Sequence, residues 1–347
     1  MCRFGMGIAP VQYSGVGHRC SSWSVQSRGW LMAGETTREL HRVAHLYYVQ
    51  QMTMEAIARD LSTSRSTVSR LIERARQLGI VTIQVHTPSD LDPQIHRALA
   101  QRFGVAMHVV PIPRGLNDID THDRVCAAAA SLLPRFFSSG QNLGLAWGST
   151  TNTISQHLGS HPLVRAQVVQ LSGAGSATGV DFANDIMHRF GTAFSADLQH
   201  FPVPAFFDNP EAKKIMWRER SVSRILALHT QLDVALFGIG SPRAEVPSKV
   251  YRQDYLDKSD YDGLVQSGVV GDIATVFFRA DGSTNDIPLN ARSTGPSFDV
   301  LRRTPRRICV LSGKSKLLAL RGALAAGLIS DLIIDEVSAE WLTRSLG

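Results

Sequence analysis

The sequence predicts two units of different class: an N-terminal all-α winged helix-turn-helix, then a larger C-terminal α/β domain with a largely parallel sheet. Three observations carry this. Residues 36–79 hold three segments with apolar side chains at helical spacing, separated by short polar turns. From residue 105 onward, apolar runs of strand length alternate with helical segments. Between the two patterns, residues 88–104 read as a connecting helix.

The first predicted helix is capped by Thr36 or Thr37 and runs to about Gln50, with Leu40, Val43, Ala44 and Tyr47 on one face. Thr53 opens a second, in which Ile57, Ala58 and Leu61 form the apolar stripe. Ser62 and Thr63 make a turn, and Ser64 is a suitable N-cap for a third. There Val68, Leu71, Ile72 and Ala75 share one face, and Gly79 suits the C′ position that ends the helix. The opposite face carries Arg65, Ser66, Ser69 and Arg70 near its start, with Thr67 beside them and Arg74 one turn further. From Ser64 to Leu78, Arg65, Arg70, Arg74 and Arg76 stand against Glu73 alone. IVTIQVH (80–86) alternates as a short strand, the wing.

Two short helices joined by a tight turn place the start of the second in the DNA major groove. Arginine can fork onto guanine, and serine or threonine can bond base edges or phosphates. The predicted DNA-binding set is therefore Ser64, Arg65, Ser66, Thr67, Ser69, Arg70 and Arg74. A solvated amphipathic helix with arginines outside is the plainer alternative.

LDPQIHRALAQRF (91–103) reads as a helix that connects the units or pairs with a second subunit. Beyond it the expected strands are 105–112, 142–148, 166–173, 234–240, 274–280, 307–313 and 332–338. Two Gly-containing turns lead from a strand directly into a helix, and ligands of open α/β sheets bind outside such carboxyl ends. After NLGLAWG, Gly148 admits a ligand to the backbone, and Ser149, Thr150 and Thr151 offer hydroxyls and helix-start amides suited to phosphate. After RICVLSG, Lys314 offers a positive charge. GxxxxGK[ST] is absent, so neither turn is a P-loop. Asp272 is a further ligand candidate or a loop residue capping its own turn. Gln170, inside an apolar strand, is equally suited to ligand contact and to a core hydrogen bond.

The chain has 347 residues, 44% of them hydrophobic, enough for two or three domains. A formal charge of +6 is compatible with an anionic partner. No apolar run approaches the roughly 20 residues of a bilayer span. The four cysteines, Cys2, Cys20, Cys126 and Cys309, match neither a zinc site nor a disulfide framework, which favours free thiols in a reducing cytoplasm. Residues 1–34 are rich in Gly and Ser, contain Arg3, Arg19 and Arg28, and have no acid before Glu35. They read as a disordered tail or an over-extended start with Met32 as initiator, a basic DNA-binding arm being the alternative.

With these residues in place, the chain resembles the SorC/DeoR-type sugar-binding transcriptional regulators of bacteria over about 300 residues, from roughly Thr36 to the end. The segments that carry the resemblance are LYYVQQMTMEAIARDLSTSRSTVSRLIERARQLGIV, LGLAWGSTT, VVQLSGAGS, DVALFGIGS, GVVGDIATVFF and LSGKSKLLALRGALAAGLISDLIIDEVSAEWL. The resemblance implies an effector domain (105–347) similar to ribose-5-phosphate isomerase and glucosamine-6-phosphate deaminase, and a winged helix-turn-helix at 36–87. It implies a sugar-phosphate or related effector held by Gly148–Thr151, contacts from Asp272 and Lys314, operator DNA as partner, and a homo-oligomer, a dimer or tetramer. No cofactor, metal or membrane is expected. Family members vary at the position of Ser149, so an unphosphorylated sugar or polyol is the alternative effector. An isomerase or deaminase with an appended DNA-binding domain is the second reading, with Asp272 and Lys314 as an enolising pair. A protein-interaction module is the third.

Overall fold

The computed structural model describes residues 37–81, 103–113, 115–174, 179–242, 244, 248–251 and 255–344. The tail at 1–34, the wing strand beyond Val81 and the connecting helix before Phe103 lie outside the described residues. The chain divides into two compact units, residues 1–85 and 86–347.

In the first unit, α1 (37–49) closes in a π-helical turn, His45–Val49. Helices α2 (Met54–Asp60) and α3 (Arg65–Gln77) follow. Thr53 caps α2 by accepting from the Ala56 amide at 3.2 Å, and Ser64 caps α3 by accepting from the Thr67 amide at 3.1 Å. Between them Ser62 takes a left-handed φ of 48°, which tightens the turn. Gly79, at φ 71°, ends α3. Its amide reaches Arg76 O, while the Ile80 amide reaches back to Ala75 O at 2.9 Å, a Schellman arrangement. Val43, Ile57, Ala58, Val68 and Ile72 form the small core. Leu61 and Leu71, expected in the stripe, are only partly buried at its rim.

The second unit is built on seven parallel strands: β1 (Ala106–Val110), β2 (Asn142–Leu145), β3 (Gln167–Gln170), β4 (Asp197–Gln199), β5 (Val234–Phe237), β8 (Arg306–Leu311) and β9 (Asp331–Asp335). Their order is β1-β9-β8-β5-β2-β3-β4. In the central strands successive side chains feed opposite cores. Val234, Leu236, Ile308 and Val310 join one, and Ala235, Phe237, Cys309 and Leu311 join the other. Both faces are therefore buried, which explains why these strands are apolar runs without alternation. Helices α4 (Asp118–Leu132), α5 (Ser149–Gln156) and α6 (Gly179–Phe194) contribute to the first core. Helices α8 (Arg220–His229), α11 (Leu317–Ala325) and α12 (Glu336–Arg344) contribute to the second. Short helices α7 (Pro210–Met216), α9 (Lys258–Gln266) and α10 (Phe298–Arg303) complete the unit.

Six of the seven expected strands lie in this sheet. The seventh, 274–280, does not. It forms β7 (Val276–Arg279), which pairs antiparallel with β6 (Val269–Ile273) in a separate two-stranded ribbon. The seventh sheet strand is instead β4, a three-residue edge strand with no buried residue and hence no apolar run to betray it.

The N-cap hydroxyl at position 64 satisfies an otherwise open helix-start amide. Replacing Ser64 with Ala is expected to destabilise the first unit by about 1 kcal/mol, read as a lowered denaturation midpoint of its helical signal.

Candidate functional site

The order of the sheet reverses at β2. From there the chain moves outward to β3 and β4, then returns to place β5 on the other side of β2. Such a switch leaves a crevice at the carboxyl ends of the two strands, and a cavity opens there. It takes in about 540 Å³ of non-protein space, its mouth included.

One wall is the turn from β2 into α5. Gly148 is the N-cap, and Ser149, Thr150 and Thr151 begin the helix, so their unpaired amides and the helix dipole meet the cavity. The sequence-predicted quartet is thus brought together. Thr151 spends its hydroxyl on Gly148 O at 3.2 Å. The Thr150 hydroxyl lies 3.3 Å from His122 Nε2 on α4. Burial first, and the Lys316 charge second, pull the His122 imidazole down to about 4, so the ring is neutral near pH 7. Cys126, one turn on, points its thiol at Thr150 O from 3.7 Å.

The second wall is the segment after β5, Gly238–Ser241. A Cβ at Gly238 would stand 2.9 Å from Thr150 Oγ1, and one at Gly240 would stand 2.0 Å from Asp272 Oδ1. Glycine here lets the Thr150 and Asp272 side chains occupy space that any other residue would fill.

Asp272 sits in β6, not in a loop. Its amide and carbonyl both bond Gly240, at 3.0 Å each, which ties the ribbon to the end of β5. The side chain lines the cavity and is 4% exposed. Burial raises its carboxyl to about 6, against the opposing pull of Tyr251, the Thr275 backbone and Lys316. Ala274 and Thr275 join β6 to β7 with φ of 49° and 69°, left-handed values unfavourable for a β-branched residue. Thr275 is held there by bonds to Ser293 Oγ at 2.9 Å and from the Gly295 amide at 3.1 Å.

Two predicted residues lie elsewhere. Lys314 does not line the cavity, and its ammonium stands 4.5 Å over the Trp341 ring. The lysine that lines the cavity is Lys316, at the end of the 3₁₀ turn Lys314–Lys316. Burial lowers its ammonium below the usual lysine value, and the fields of Cys126, Cys309 and Asp272 partly restore it. Gln170 is absent from the cavity wall and is a core node. It donates to Ser172 O at 2.7 Å and accepts from the Phe201 amide at 3.2 Å, while its own carbonyl meets His229 Nε2 at 2.9 Å. Of its two open readings, the structure gives the core hydrogen bond.

In the first unit, Ser64, Arg65, Ser66, Ser69, Arg70 and Arg74 are exposed on α3 and Thr67 is half-buried. The Ser64 hydroxyl lies 2.8 Å from that of Ser66 and 2.9 Å from that of Thr67. Arg70 Nη2 reaches Thr67 Oγ1 at 3.5 Å. Arg65 pairs with Glu55 of α2 at 2.6 Å, and Arg76 with the Tyr48 hydroxyl at 2.7 Å.

The family model described as "Putative sugar-binding domain" matches residues 90–344. A deoxyribonucleoside regulator of Bacillus subtilis (strain 168) is 32% identical over 306 residues, which is 87% of this chain and 96% of that protein. This chain belongs to the SorC/DeoR-type family of sugar-binding transcriptional regulators. This regulator is similar to several solved structures. A domain of a "possible sugar-binding transcriptional regulator" from Arthrobacter aurescens TC1 shares 47% identity, with a TM-score of 0.68 over 74% of this chain and 99% of that one. The full-length sorbitol operon regulator of Klebsiella pneumoniae shares 26% identity, with a TM-score of 0.71 over 88% and 98% of the two chains. Among the described residues, no helix of the regulator is long and apolar enough to cross a membrane, and no cluster of side chains could hold a metal.

The raised Asp272 carboxyl has a consequence for stability. Its folded value of about 6 lies above the ordinary aspartate value of 3.8, so the folded protein holds the extra proton between those limits. This group's contribution therefore becomes less favourable as pH rises from about 4 to 6 and is constant above. Asp272→Asn removes that dependence. Its stability relative to the parent is expected to rise by about 2 kcal/mol between pH 4.5 and 7.5, measured by denaturant titration at the two pH values.

Proposed function

We propose that this regulator reads operator DNA with α3 and adjusts its affinity through a small carbohydrate seated in the cavity, its phosphate or a terminal hydroxyl at the Ser149–Thr151 amides. One observation carries this reading. A helix start, a lysine and a buried carboxylate converge on one cavity at the switch point of the sheet. Amides and Lys316 suit an anion, whereas Asp272 suits donating hydroxyls, and a sugar phosphate combines both. The relatives, a deoxyribonucleoside regulator and a sorbitol operon regulator, are consistent with carbohydrate uptake and catabolism genes as targets.

On this reading α2 and α3 are a helix-turn-helix, with the wing at 80–86 and a fold of the second unit like that of ribose-5-phosphate isomerase. A cytoplasmic homo-oligomer is the expected assembly. The clustered hydroxyls of Ser64, Ser66 and Thr67 and the exposed arginines form one polar surface at the start of α3. The effector acts only by binding the DNA-competent and DNA-incompetent states unequally.

A fluorescence-anisotropy titration of the full chain against its own upstream DNA, with and without a panel of sugar phosphates and polyols, tests the whole reading. DNA binding that no member of the panel alters would count against it. Arg70→Ala is expected to weaken operator binding about tenfold and to reduce the slope of log K against log salt by about one. An unchanged slope would remove Arg70 from the phosphate contacts. Lys316→Ala is expected to raise the effector concentration for half-response about tenfold or more, by loss of a charge-assisted bond. Lys314→Ala, whose charge rests on Trp341, should leave it within about twofold. The opposite ranking of the two variants would transfer the role back to Lys314.

A further inference from the structure

Thr150 lines the cavity, and its hydroxyl can serve a ligand in either of two ways. A threonine oxygen donates one proton or accepts, so its role toward the cavity depends on what its other neighbour does. Gly238 leaves it room on the opposite wall, since a Cβ there would stand 2.9 Å from Thr150 Oγ1. Among the described residues, the side chain that bonds this oxygen is His122, with Nε2 at 3.3 Å.

His122 comes from α4, behind the wall, and does not line the cavity itself. Helix α4 grips α5 at both ends. At the start, His122 meets the Thr150 hydroxyl, and Cys126 meets the Thr150 carbonyl from 3.7 Å. At the far end, Asp123 pairs with His157, the C-cap of α5, at 2.8 Å. The imidazole is thus placed by two packed helices rather than by a loop.

The neighbours also settle which ring nitrogen carries the proton. Cys126 is fully buried, and burial pushes its thiol up to about 12, so it stays protonated. That proton goes to the Thr150 carbonyl, which can only accept. The sulfur is left as an acceptor, 3.6 Å from Nε2 and 3.9 Å from Nδ1. Nε2 therefore faces two atoms able to accept, the sulfur and Thr150 Oγ1, and holds the proton. With Nε2–H donating to Oγ1, the threonine's own proton turns toward the cavity. It joins the Ser149–Thr151 amides and Lys316, which are donors as well.

We propose that His122 is a positioning residue for the effector: it fixes the Thr150 hydroxyl as a donor, so that this wall selects an anionic group over a neutral hydroxyl. His122 touches no ligand and acts through Thr150. Donors aimed at one point favour a charged acceptor, because bonds to an ionised oxygen are roughly twice as strong as neutral ones. This inference rests on the carbohydrate reading of the cavity and names the residue that decides between its two anchoring groups.

The test measures Kd by isothermal titration on the full chain. The probes are ribose 5-phosphate, glucose 6-phosphate and fructose 6-phosphate, each beside its unphosphorylated sugar. At least one phosphate is expected to bind the parent more tightly than its sugar. For that probe Thr150→Val and His122→Leu are each expected to weaken binding about tenfold. The double variant is expected to match Thr150→Val within about twofold, because both changes remove one donor. His122→Gln, which keeps an N–H near the place of Nε2, is expected to stay within about threefold of the parent. If the His122→Leu loss recurs in full in the Thr150→Val background, or if His122→Gln loses as much as His122→Leu, the ring merely packs α4 on α5 and the proposal fails. The tautomer is read separately from the nitrogen-15 spectrum of histidine-labelled parent, the His122 signals being those lost in His122→Gln. A proton on Nδ1 overturns the proposal whether or not His122→Leu folds. Equal binding of every phosphate and its sugar overturns this inference alone, whereas binding by no probe overturns the carbohydrate reading and this inference with it.

Discussion

A two-way backbone bridge between Gly240 and Asp272 joins an antiparallel ribbon to the end of a parallel strand, and the far half of the site hangs from it. The bridge brings a carboxylate against a main chain with no room for a Cβ. It also sets where the ribbon must turn, so that Ala274 and Thr275 adopt left-handed angles that neither residue favours. The strain persists because the neighbours over-determine it. Ser293 bonds both the hydroxyl and the carbonyl of Thr275, and Gly295 leaves space where a Cβ would lie 1.8 Å from Ala274 O. Glycines 240 and 295 thus serve one purpose from two sides.

The electrostatics follow from that burial. Asp272 and Lys316 are both drawn from water, and each is pushed toward its neutral form by desolvation. Their mutual attraction offsets this only in part, because no ion pair within 4.0 Å joins them among the described residues. Charged groups drawn from water in this way gain from each further hydrogen bond they receive.

The helix starts and stops were legible because local chemistry decides them. Ser64 and Thr53 cap, and Gly79 ends α3, just where their side chains allow. The Gly148–Thr151 cradle was legible for the same reason. The ribbon was not, because VFF reads as a buried strand whether it pairs within the sheet or outside it. Lys314 was the expected contact, whereas the lysine that lines the cavity is Lys316. In a 3₁₀ turn residues two apart differ by about 240° around the axis, so Lys314 and Lys316 face different surroundings, and sequence order gives no means of choosing. Tyr251 lay in a stretch with no periodicity, and its meeting with Asp272 is set by tertiary packing alone.

The ion pair between Arg65 and Glu55 alters how the α3 surface responds to its medium. Both side chains are well exposed, so added salt screens their attraction as it screens attraction to a polyanion. An arginine that must leave an intramolecular partner to meet an external one loses from both sides as ionic strength rises. Its net electrolyte sensitivity is then smaller than one charge would give. Arg70, with only a hydroxyl at 3.5 Å, has no such compensation. Two arginines five residues apart on α3 thus differ in their response to electrolyte: one is paired within its own protein, and the other faces the solution.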